Sequence, residues 1–470
     1  MNDLALLTLP SDLRHQRFPS DTFDSPPFMS QGHGAFSLDF DKAMTKNLAR
    51  ALIAVRVSIT LVVLFGLGVC LNFTTHSVAQ STQSQPKDDS PNAVRTSHEE
   101  VVASRANYQR TGFYSAKGVH DLKGIIWKTP KFFSLENKSI ADSDIDIGAF
   151  FFGEYGASSP IFANGAIYFS AYVGHGHLVA MEASTGKVSW ALKRDRGHIS
   201  DPTIVGNLVY VGTDARTIVE LDAKTGHEQW RYSAPIPAKP VKGIRLKMLA
   251  GVYAPTPVVA NRLVIFGTLE GDLFAVDRAT NELKWSFHAE GVIGPIALDN
   301  GAVYFGTSSG SAYSVDLASG HEKWKIAAPL GLPLVSNSSL YFNDKGFIYA
   351  VDAVTGQTKW KVKARGKPGT ALGVAYDTIY YGGLDDSIYA LAANNGQERW
   401  RFKTLDSCDA PVIADDIVYA GGSEHLFAID AHSGAQIWVL NEKKVTLSSP
   451  AVTDGVIYAL AYEGYVYAIR

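Results

Sequence analysis

Cysteine is nearly absent from this sequence. The 470 residues include only Cys70 and Cys408, with no CxxC pair, no adjacent pair and no CxxCH motif. We therefore expect neither a disulfide framework in the mature chain nor covalently attached haem. We interpret Cys408 as a small apolar core residue, because an isolated cysteine is more often a buried hydrophobe than a reactive thiol.

An excess of charge of one sign is also lacking. Charged residues make up 19% of the chain and the net charge is −3, so nothing electrostatic favours nucleic acid or an anionic membrane surface as a partner. No P-loop, dinucleotide fingerprint or Ser–His–Asp set occurs in a convincing context, and we predict no catalytic residue. The 42 glycines and 11% aromatic residues are instead typical of short strands joined by tight turns.

Long hydrophobic runs are scarce, and the main one lies near the N-terminus. Residues 57–71 follow three basic residues and precede small residues placed for cleavage after Ala79. This order indicates a secretory signal over residues 44–79. The run is shorter than the ~20 residues of a spanning helix, and an uncleaved anchor over residues 51–72 is the alternative. Both interpretations predict export to a periplasmic or other extracytoplasmic space, and the second adds membrane association.

The segments around this signal are polar. Residues 1–43 are too long and too polar for the start of a signal. We expect translation to begin at Met44, which places residues 1–43 outside the natural chain; the alternative is that they form a disordered extension. A valine precedes Cys70 where a lipoprotein signal needs a small residue, so lipidation is not expected. Residues 80–106 are typical of a flexible linker, which leaves residues 107–470 as the folded domain.

One ten-residue phrase is repeated along this domain. VDAVTGQTKW at residues 351–360 is one of seven similar copies, and each copy ends in tryptophan. These tryptophans are Trp190, Trp230, Trp285, Trp324, Trp360, Trp400 and Trp438. Successive copies are 40, 55, 39, 36, 40 and 38 residues apart. A period near 40 without helical patterning predicts the blades of a β-propeller.

The pattern within one unit predicts its strands. In residues 448–470, the segments SSPAV, VIYALAY and YVYAI are separated by Asp454-Gly455 and by a second glycine turn at 463–464. Such turns join antiparallel strands, because glycine accepts a positive φ. In the other units the phrase adds a fourth strand, which carries the tryptophan. We therefore predict an all-β fold of four-stranded antiparallel blades.

Three positions recur in the copies of the phrase, and each has a physical role. An aspartate ends the third strand, where its carboxylate can accept backbone N–H groups of the turn; these are Asp222, Asp277, Asp316, Asp352 and Asp430. A glycine takes the positive-φ position of the turn; these are Gly186, Gly226, Gly320, Gly356, Gly396 and Gly434, with Asn281 in the third copy. The tryptophan on the outermost strand is expected to cover the gap to the adjoining blade.

An eighth tryptophan completes the count. The sequence ends at Arg470 after a third strand, so the last unit lacks its tryptophan strand. Trp127, in KGIIWKTP, is the one tryptophan outside the phrases. We predict that residues 122–130 supply the missing outer strand, which gives eight blades and closes the propeller.

Two insertions interrupt the period and are the best candidates for a contact surface. They are residues 131–157 and 233–254. Long loops on a rigid scaffold commonly carry function, and both are rich in aromatic and basic residues. In the second, we predict that partners contact Lys242, Arg245, Lys247 and Tyr253.

The sequence contains only weak candidates for a metal-binding site. Asp142, Asp144 and Asp146 alternate as in a calcium loop, but the glycine and glutamate of an EF-type loop are out of place, so we interpret them as a solvated acidic loop. His175 and His177 could share a strand face but have no identifiable third ligand, and we place them in a turn. The four aspartates near Cys408 (Asp406, Asp409, Asp415 and Asp416) are ordinary turn residues.

The phrase AxDxxTGxxxW resembles the PQQ-type β-propeller repeat over residues 107–470. This resemblance implies one of two functions. One branch comprises quinoprotein alcohol and sugar dehydrogenases, which hold pyrroloquinoline quinone (PQQ) and calcium in the central funnel, often under an adjacent cysteine pair. The other is a non-catalytic eight-bladed scaffold similar to outer-membrane assembly propellers, whose loops bind proteins. The compact blades and the missing cysteine pair resemble the second branch.

We therefore expect an exported, monomeric, non-catalytic scaffold that binds a protein partner through its loops and needs no cofactor. A PQQ-dependent dehydrogenase with PQQ and calcium is the first alternative. A propeller that senses or binds a small ligand is the second, since fold alone does not choose among these functions.

Overall fold

The described part of the chain consists of β-strands and turns. The computed structural model describes residues 101–102, 107, 110–130, 158–172, 176–194, 197–214, 216–236, 254–328, 332–406, 408, 410–461 and 463–470. No helix in these residues is long and apolar enough to cross a membrane. The predicted extension, signal or anchor, and most of the predicted linker lie outside the described residues.

Three short strands precede the repeats. They are β1 (Val101–Val102), β2 (Phe113–Tyr114) and β3 (Ile125–Lys128). The remaining strands form eight consecutive units, each of which is the core of one blade.

Blades 1 to 4 are regular four-strand units. Blade 1 contains β4 (Ile161–Ala163), β5 (Ala166–Tyr172), β6 (Gly176–Glu182) and β7 (Val188–Lys193). Blade 2 contains β8 (Thr203–Val205), β9 (Leu208–Asp214), β10 (Thr217–Asp222) and β11 (Glu228–Ser233). Blade 3 contains β12 (Val258–Ala260), β13 (Leu263–Gly267), β14 (Asp272–Asp277) and β15 (Glu282–His288). Blade 4 contains β16 (Ile293–Asp299), β17 (Ala302–Thr307), β18 (Ser311–Asp316) and β19 (Glu322–Ala327).

Blades 5 to 7 repeat the same order, and blade 8 has three strands of its own. Blade 5 contains β20 (Leu334–Ser336), β21 (Ser339–Asp344), β22 (Phe347–Asp352) and β23 (Thr358–Lys363). Blade 6 contains β24 (Pro368–Ala375), β25 (Thr378–Gly383), β26 (Ser387–Ala392) and β27 (Glu398–Lys403). Blade 7 contains β28 (Val412–Ala414), β29 (Ile417–Gly421), β30 (Ser423–Asp430) and β31 (Gln436–Thr446). Blade 8 contains β32 (Ala451–Thr453), β33 (Val456–Leu460) and β34 (Val466–Ile469).

The topology confirms an all-β propeller of eight antiparallel blades. At six of the eight junctions the first strands of neighbouring blades contact one another, including β32 with β4, so these strands line the central axis. The fourth strand of blade 8 is β3, which pairs antiparallel to β34 with Ile125 opposite Ile469. The two ends of the described propeller therefore meet within one sheet.

Burial follows the position of a strand within its blade. Second strands such as β17 are buried at every residue, because neighbouring blades cover both faces of the sheet. Outermost strands such as β23 alternate exposed and half-buried residues. The cores lie between blades: one cluster joins Tyr304 of blade 4 to Val351 of blade 5. Stability is thus shared among the junctions of adjacent sheets.

Two sheets have a fifth strand that the sequence analysis did not predict. Strand β1, within the predicted linker, pairs antiparallel to β8, and β2 pairs in parallel with β28. Both occupy the axial edge of a first strand, which in a four-stranded blade has unpaired N–H and C=O groups.

Candidate functional site

Tryptophans link the blades through one recurring hydrogen bond. The Nε1 atoms of seven of the eight donate to a backbone carbonyl outside their own blade, at 2.7 to 3.0 Å. Trp324, for example, donates to Ala353 at the turn of the next blade. Trp127 donates to Ala183 and so joins blade 8 to blade 1. The indole covers the junction, and its polar atom is paired there.

The turn glycines are needed for two reasons. Gly226 has a φ of 70°, a conformation that costs energy for residues with a Cβ. A Cβ atom on Gly226 would also lie 2.6 Å from the Trp190 indole. The other five turn glycines meet the same two conditions. The sequence indicated the first reason, and only the packing of adjacent blades shows the second.

The turn aspartates cap the phrase as predicted. Asp352 Oδ1 accepts hydrogen bonds from the backbone N–H groups of Val354 and Thr355, at 3.1 and 2.9 Å. At the equivalent position, the hydroxyl of Ser319 stabilises the ionised form and lowers the pKa of Asp316 to about 2. These carboxylates therefore hold the turns rather than a ligand.

The junction between blades 2 and 3 is the exception. The Nε1 atom of Trp230 is buried and has no hydrogen-bond partner among the described residues. The facing turn carries Asn281, which keeps the positive φ of 57° but has a Cβ where other turns leave room for an indole. Here Arg278 instead reaches across to Glu220, with Nη2 donating to Oε1 at 2.8 Å.

A set of tyrosines was missed by the sequence analysis. The hydroxyls of Tyr168 and Tyr380 donate to Ala223 and Ala431, the same carbonyls that accept the indole bonds, at 3.2 and 3.1 Å. Burial raises the pKa of each tyrosine to about 12. The sequence did contain a pattern that could have predicted these tyrosines, because most units have an aromatic residue in their second strand.

A segment before blade 1 occupies the axis. We define the axial strap as residues 110–119. The carbonyls of Thr111 and Gly112 accept hydrogen bonds from Val374 and Ile413, each at 2.8 Å. The strap therefore binds along the axial edges of blades 6 and 7, where its strand β2 completes the five-stranded sheet.

The far end of the strap takes over one role of the eighth repeat phrase, which blade 8 lacks. The carbonyl of Val119 accepts the indole bond of Trp438 at 2.7 Å, and its N–H donates to the Tyr419 hydroxyl at 2.7 Å. The N–H of Gly118 donates to Asp415 at 3.1 Å and is the main cause of the lowered pKa of that carboxyl. The strap thus supplies the acceptor that a repeat turn supplies elsewhere.

The start of the strap contains a buried cation. Arg110 is 8% exposed and has a φ of 59°. Burial lowers the pKa of its guanidinium, while the charge of Asp201 opposes this shift. Its Nε atom has no hydrogen-bond partner among the described residues. The interior of the propeller near the axis is therefore occupied by the chain's own segment.

Two cavities flank the strap. One has a volume of about 530 Å³ and lies among Asn107, Phe113 and the turns that begin blades 4, 5 and 6. The second, of about 520 Å³, shares Asn107 and Phe113 and borders blades 1, 2 and 8. Both have sizes typical of small-ligand pockets.

The described axis does not match a PQQ–calcium site. Calcium needs six to eight oxygen ligands, and within the described ranges no three His, Cys, Asp or Glu side chains are grouped to hold a metal ion. Two axial strands that would face a cofactor instead bind the strap. We therefore derive no chemical step through PQQ.

The predicted contact residues and the weak calcium candidates lie outside the described residues; these are Lys242, Arg245, Lys247, Tyr253, Asp142, Asp144 and Asp146. His175 and Asp409, which we interpreted as turn residues, also lie outside them. His177, which we placed in a turn, lies instead on β6 opposite Ala171 and Lys193, because the strand extends to Gly176.

Cys408 and its neighbours form a small polar cluster. Cys408 is half-buried and packs against the core between blades 6 and 7. Asp406 Oδ2 lies 3.1 Å from His425 Nδ1, and burial raises the pKa of the Asp406 carboxyl. Asp415 and Asp416 occupy the positive-φ turn between β28 and β29. None of these contacts indicates a particular chemical reaction.

The chain matches a family model described as the outer membrane protein assembly factor BamB, over residues 124–361 and 344–470. It is similar to the quinohemoprotein alcohol dehydrogenase ADH IIB of Pseudomonas putida, at 28% identity over 28% of this chain and 20% of that protein. It is also similar to the assembly factor BamB of Moranella endobia, at 27% identity over 25% of this chain and 29% of that protein. The chain therefore spans less than a third of the length of either relative.

A solved structure shares the fold. BamB from Moraxella catarrhalis is 19% identical and superposes with a TM-score of 0.51, covering 66% of this chain and 95% of that one. At this identity the likeness concerns the propeller fold alone.

Proposed function

Because the chain belongs to the family described as the outer membrane protein assembly factor BamB, we propose that it is a non-catalytic scaffold that binds protein partners through its loops. The observation that carries this proposal is the axial strap, which bonds to blades 6 and 7 where an enzyme of this fold class would need an open funnel. A propeller filled along its axis retains its outer loops for binding.

The proposal includes where the protein works and what it contacts. The signal-like segment over residues 44–79, or an anchor over residues 51–72, exports the chain to the extracytoplasmic space. The partner is a component of outer-membrane protein assembly, and the contact is made by residues 233–254. The scaffold works as a monomer and needs no cofactor.

The test is site-specific photo-crosslinking in the full chain. A photo-reactive residue in place of Lys242 or Tyr253 should give one defined adduct, identified by mass spectrometry as an outer-membrane assembly component. The matched control replaces Lys187, an exposed lysine in a repeat turn, and should give none. Equal adducts from Lys187, or none from Lys242 and Tyr253, would contradict the proposal.

A PQQ-dependent dehydrogenase is the second candidate, because the chain is also similar to a quinohemoprotein alcohol dehydrogenase. The full chain mixed with PQQ and Ca²⁺ would then show a shifted quinone absorbance, and alcohols or sugars would reduce an added dye. Dye reduction above a sample without PQQ would replace the scaffold proposal with this one.

A further inference from the structure

Three aromatic rings form a row at the junction of blades 6 and 7. Phe113 of the axial strap lies 5.7 Å from Tyr376, measured between ring centroids. Tyr376 in turn lies 5.3 Å from the imidazole of His432, in the repeat turn of blade 7. We define these three residues as the aromatic row. It runs outward from the axis, because the turn between the third and fourth strands lies farther from the axis than the strap does.

The middle residue of the row has an unusual backbone conformation. In the turns that join the first and second strands, the leading positive-φ residue is elsewhere asparagine, aspartate or glycine: Asn164, Gly206, Asn261, Asn300, Asn337, Asp415 and Asp454. In blade 6 it is Tyr376, with a φ of 51°. A bulky residue in this conformation is uncommon and costs local energy. Backbone outliers of this kind cluster where a side chain has a function.

The row is held in place without being buried. The Tyr376 hydroxyl accepts a hydrogen bond from the Asp416 N–H at 3.2 Å. His432 Nε2 lies 3.2 Å from the carboxylate of the same aspartate. Tyr376 is nevertheless 38% exposed, and the side chain of His432 is 57% exposed. The row is therefore a fixed aromatic surface open to solvent, and a ligand that packs on it pays little for ordering it.

Side-chain amides share a cavity with the row. Tyr376 lines the 530 Å³ cavity together with Asn107 and Asn337. The amide nitrogen of Asn107 donates to Thr111 Oγ1 at 2.7 Å, and that of Asn337 donates to Asp377 Oδ1 at 3.3 Å. Each amide nitrogen carries two hydrogens. One hydrogen therefore orients the amide within the protein, and the other can be donated to a ligand.

The sheet edge beside the row is already occupied. The Thr111 carbonyl accepts a hydrogen bond from the Val374 N–H of β24 at 2.8 Å, so the strap takes the axial edge of blade 6. A ligand beside Tyr376 thus gains no ladder bonds at this edge, as an added β-strand would need. It must be recognised through ring contacts and side-chain amides.

A polyproline II segment meets these conditions. Its backbone makes no internal hydrogen bonds, so its carbonyls accept hydrogen bonds from side-chain amides. Its proline rings pack in aromatic-lined grooves, and the preformed helix loses little entropy on binding. Successive prolines on one face lie about 9 Å apart, since the rise is about 3.1 Å over each of three residues. Three rings with neighbouring centroids less than 6 Å apart cover this span.

We propose that the cavity and the aromatic row bind a proline-rich peptide segment in the polyproline II conformation. Prolines pack against Tyr376 and His432, and the amides of Asn107 and Asn337 donate to peptide carbonyls. This site is additional to the partner contact at residues 233–254. Strand β11 ends and β12 begins at the opposite face of the ring from the turns between first and second strands, because successive strands of a blade are antiparallel.

The experiment titrates the full chain with a capped peptide of repeated Pro-Pro-Ala units, by calorimetry and saturation-transfer NMR. This peptide should bind saturably, and a peptide of equal length with alanine at every position should bind at least tenfold more weakly. Tyr376→Asn, which installs a residue preferred at this turn, should weaken binding of the proline peptide at least tenfold. Tyr376→Phe, which keeps the ring, should stay within threefold of the wild-type affinity.

A matched control uses the equivalent turn of blade 3. Asn261→Ser alters a residue outside the cavity and should leave the affinity for the proline peptide unchanged. The proposal is overturned if the proline peptide does not bind, if the alanine peptide binds equally well, or if Tyr376→Asn keeps wild-type affinity. Tyr376→Asn should leave crosslinking from Lys242 intact, so the two proposals fail independently.

Discussion

At the residue scale, each tryptophan combines a large contact area with one directed bond. The Nε1 of Trp324 donates to Ala353 at 2.9 Å, and this residue is 7% exposed. Trp230 has a similar position in the repeat but lacks the bond. Since a buried donor without a partner loses its water contacts and gains none in return, the two residues should respond differently to removal of the indole N–H.

Replacing tryptophan with phenylalanine tests this difference. Trp324→Phe should lower the free energy of unfolding by about 2 to 3 kcal/mol, because it removes contact area and leaves the Ala353 carbonyl unpaired. Trp230→Phe should cost about 1 kcal/mol less, since it removes an unpaired donor. Urea denaturation followed by fluorescence measures both. An equal loss would show that the indole bond contributes nothing to stability.

The capping aspartates predict how stability depends on pH. The pKa of Asp316 is lowered to about 2 in the folded state, below the ordinary aspartate value of about 3.9. Its contribution is therefore complete above about pH 4 and is lost as the pH falls through about 2. The wild type should lose more stability than Asp316→Asn between pH 5 and pH 2. Thermal unfolding measures both proteins across that range. If the wild type and Asp316→Asn lose stability in parallel, the capping role of the Asp316 carboxylate is refuted.

At the scale of single elements, the axial strap links strands that are distant in sequence. Its residues form hydrogen bonds with blades 6 and 7. The Gly455 N–H of blade 8 donates to the backbone carbonyl of Lys117 at 2.9 Å. Gly118 lies at the closest approach, where a Cβ would be 2.9 Å from the Tyr419 hydroxyl and 3.0 Å from the Ala414 carbonyl. Glycine at this position is needed for space rather than for a positive φ.

Gly118→Ala tests this close approach. The added methyl group should destabilise the protein by about 1 to 3 kcal/mol, because the backbone of β28 cannot yield without loss of its ladder bonds. Hydrogen exchange should also quicken in β2 and β28. Gly369→Ala is the control, since its Cβ would meet only the Gly382 carbonyl at 3.4 Å. A Gly118→Ala protein as stable as this control would contradict the role of the strap.

At the scale of the whole molecule, stability depends on closure between the two ends of the described propeller. Strand β3 pairs with β34, and Trp127 packs with Tyr458 of blade 8 and with strands β5 and β6 of blade 1 in one core cluster. Each blade has two neighbours in this arrangement, so no sheet face is left uncovered. Loss of β3 would expose the faces of blades 8 and 1 together.

Truncation measures the contribution of closure. A chain lacking residues 1–130 should lose cooperative unfolding and expose apolar surface, because blade 8 then has three strands and the strap is missing. A chain lacking residues 1–92 keeps every described strand and should unfold with the cooperativity of the full chain. Calorimetry together with dye binding distinguishes the two. Cooperative unfolding of the shorter chain would show that closure is dispensable.

The sequence alone determined the class of fold, the number of blades and the turn chemistry. These follow from local rules: Gly356 needs a positive φ, Asp352 caps its own turn, and a fixed period with an alternating pattern predicts four short strands. Such features depend on residues that are near neighbours in the chain, so the sequence states them directly. The weak metal candidates and the loop residues at 242–253 stay predictions.

Only the tertiary structure decided what fills the axis and which blade junction departs from the rule. The strap bonds, the pairing of Arg278 with Glu220 and the position of Tyr376 beside Phe113 join residues separated by tens to hundreds of positions. No local preference specifies such contacts, because they depend on the radius and packing of the closed propeller. The lining of the 530 Å³ cavity likewise comes from the turns of three blades and from Asn107, Thr111 and Phe113, which precede all the blades in the chain.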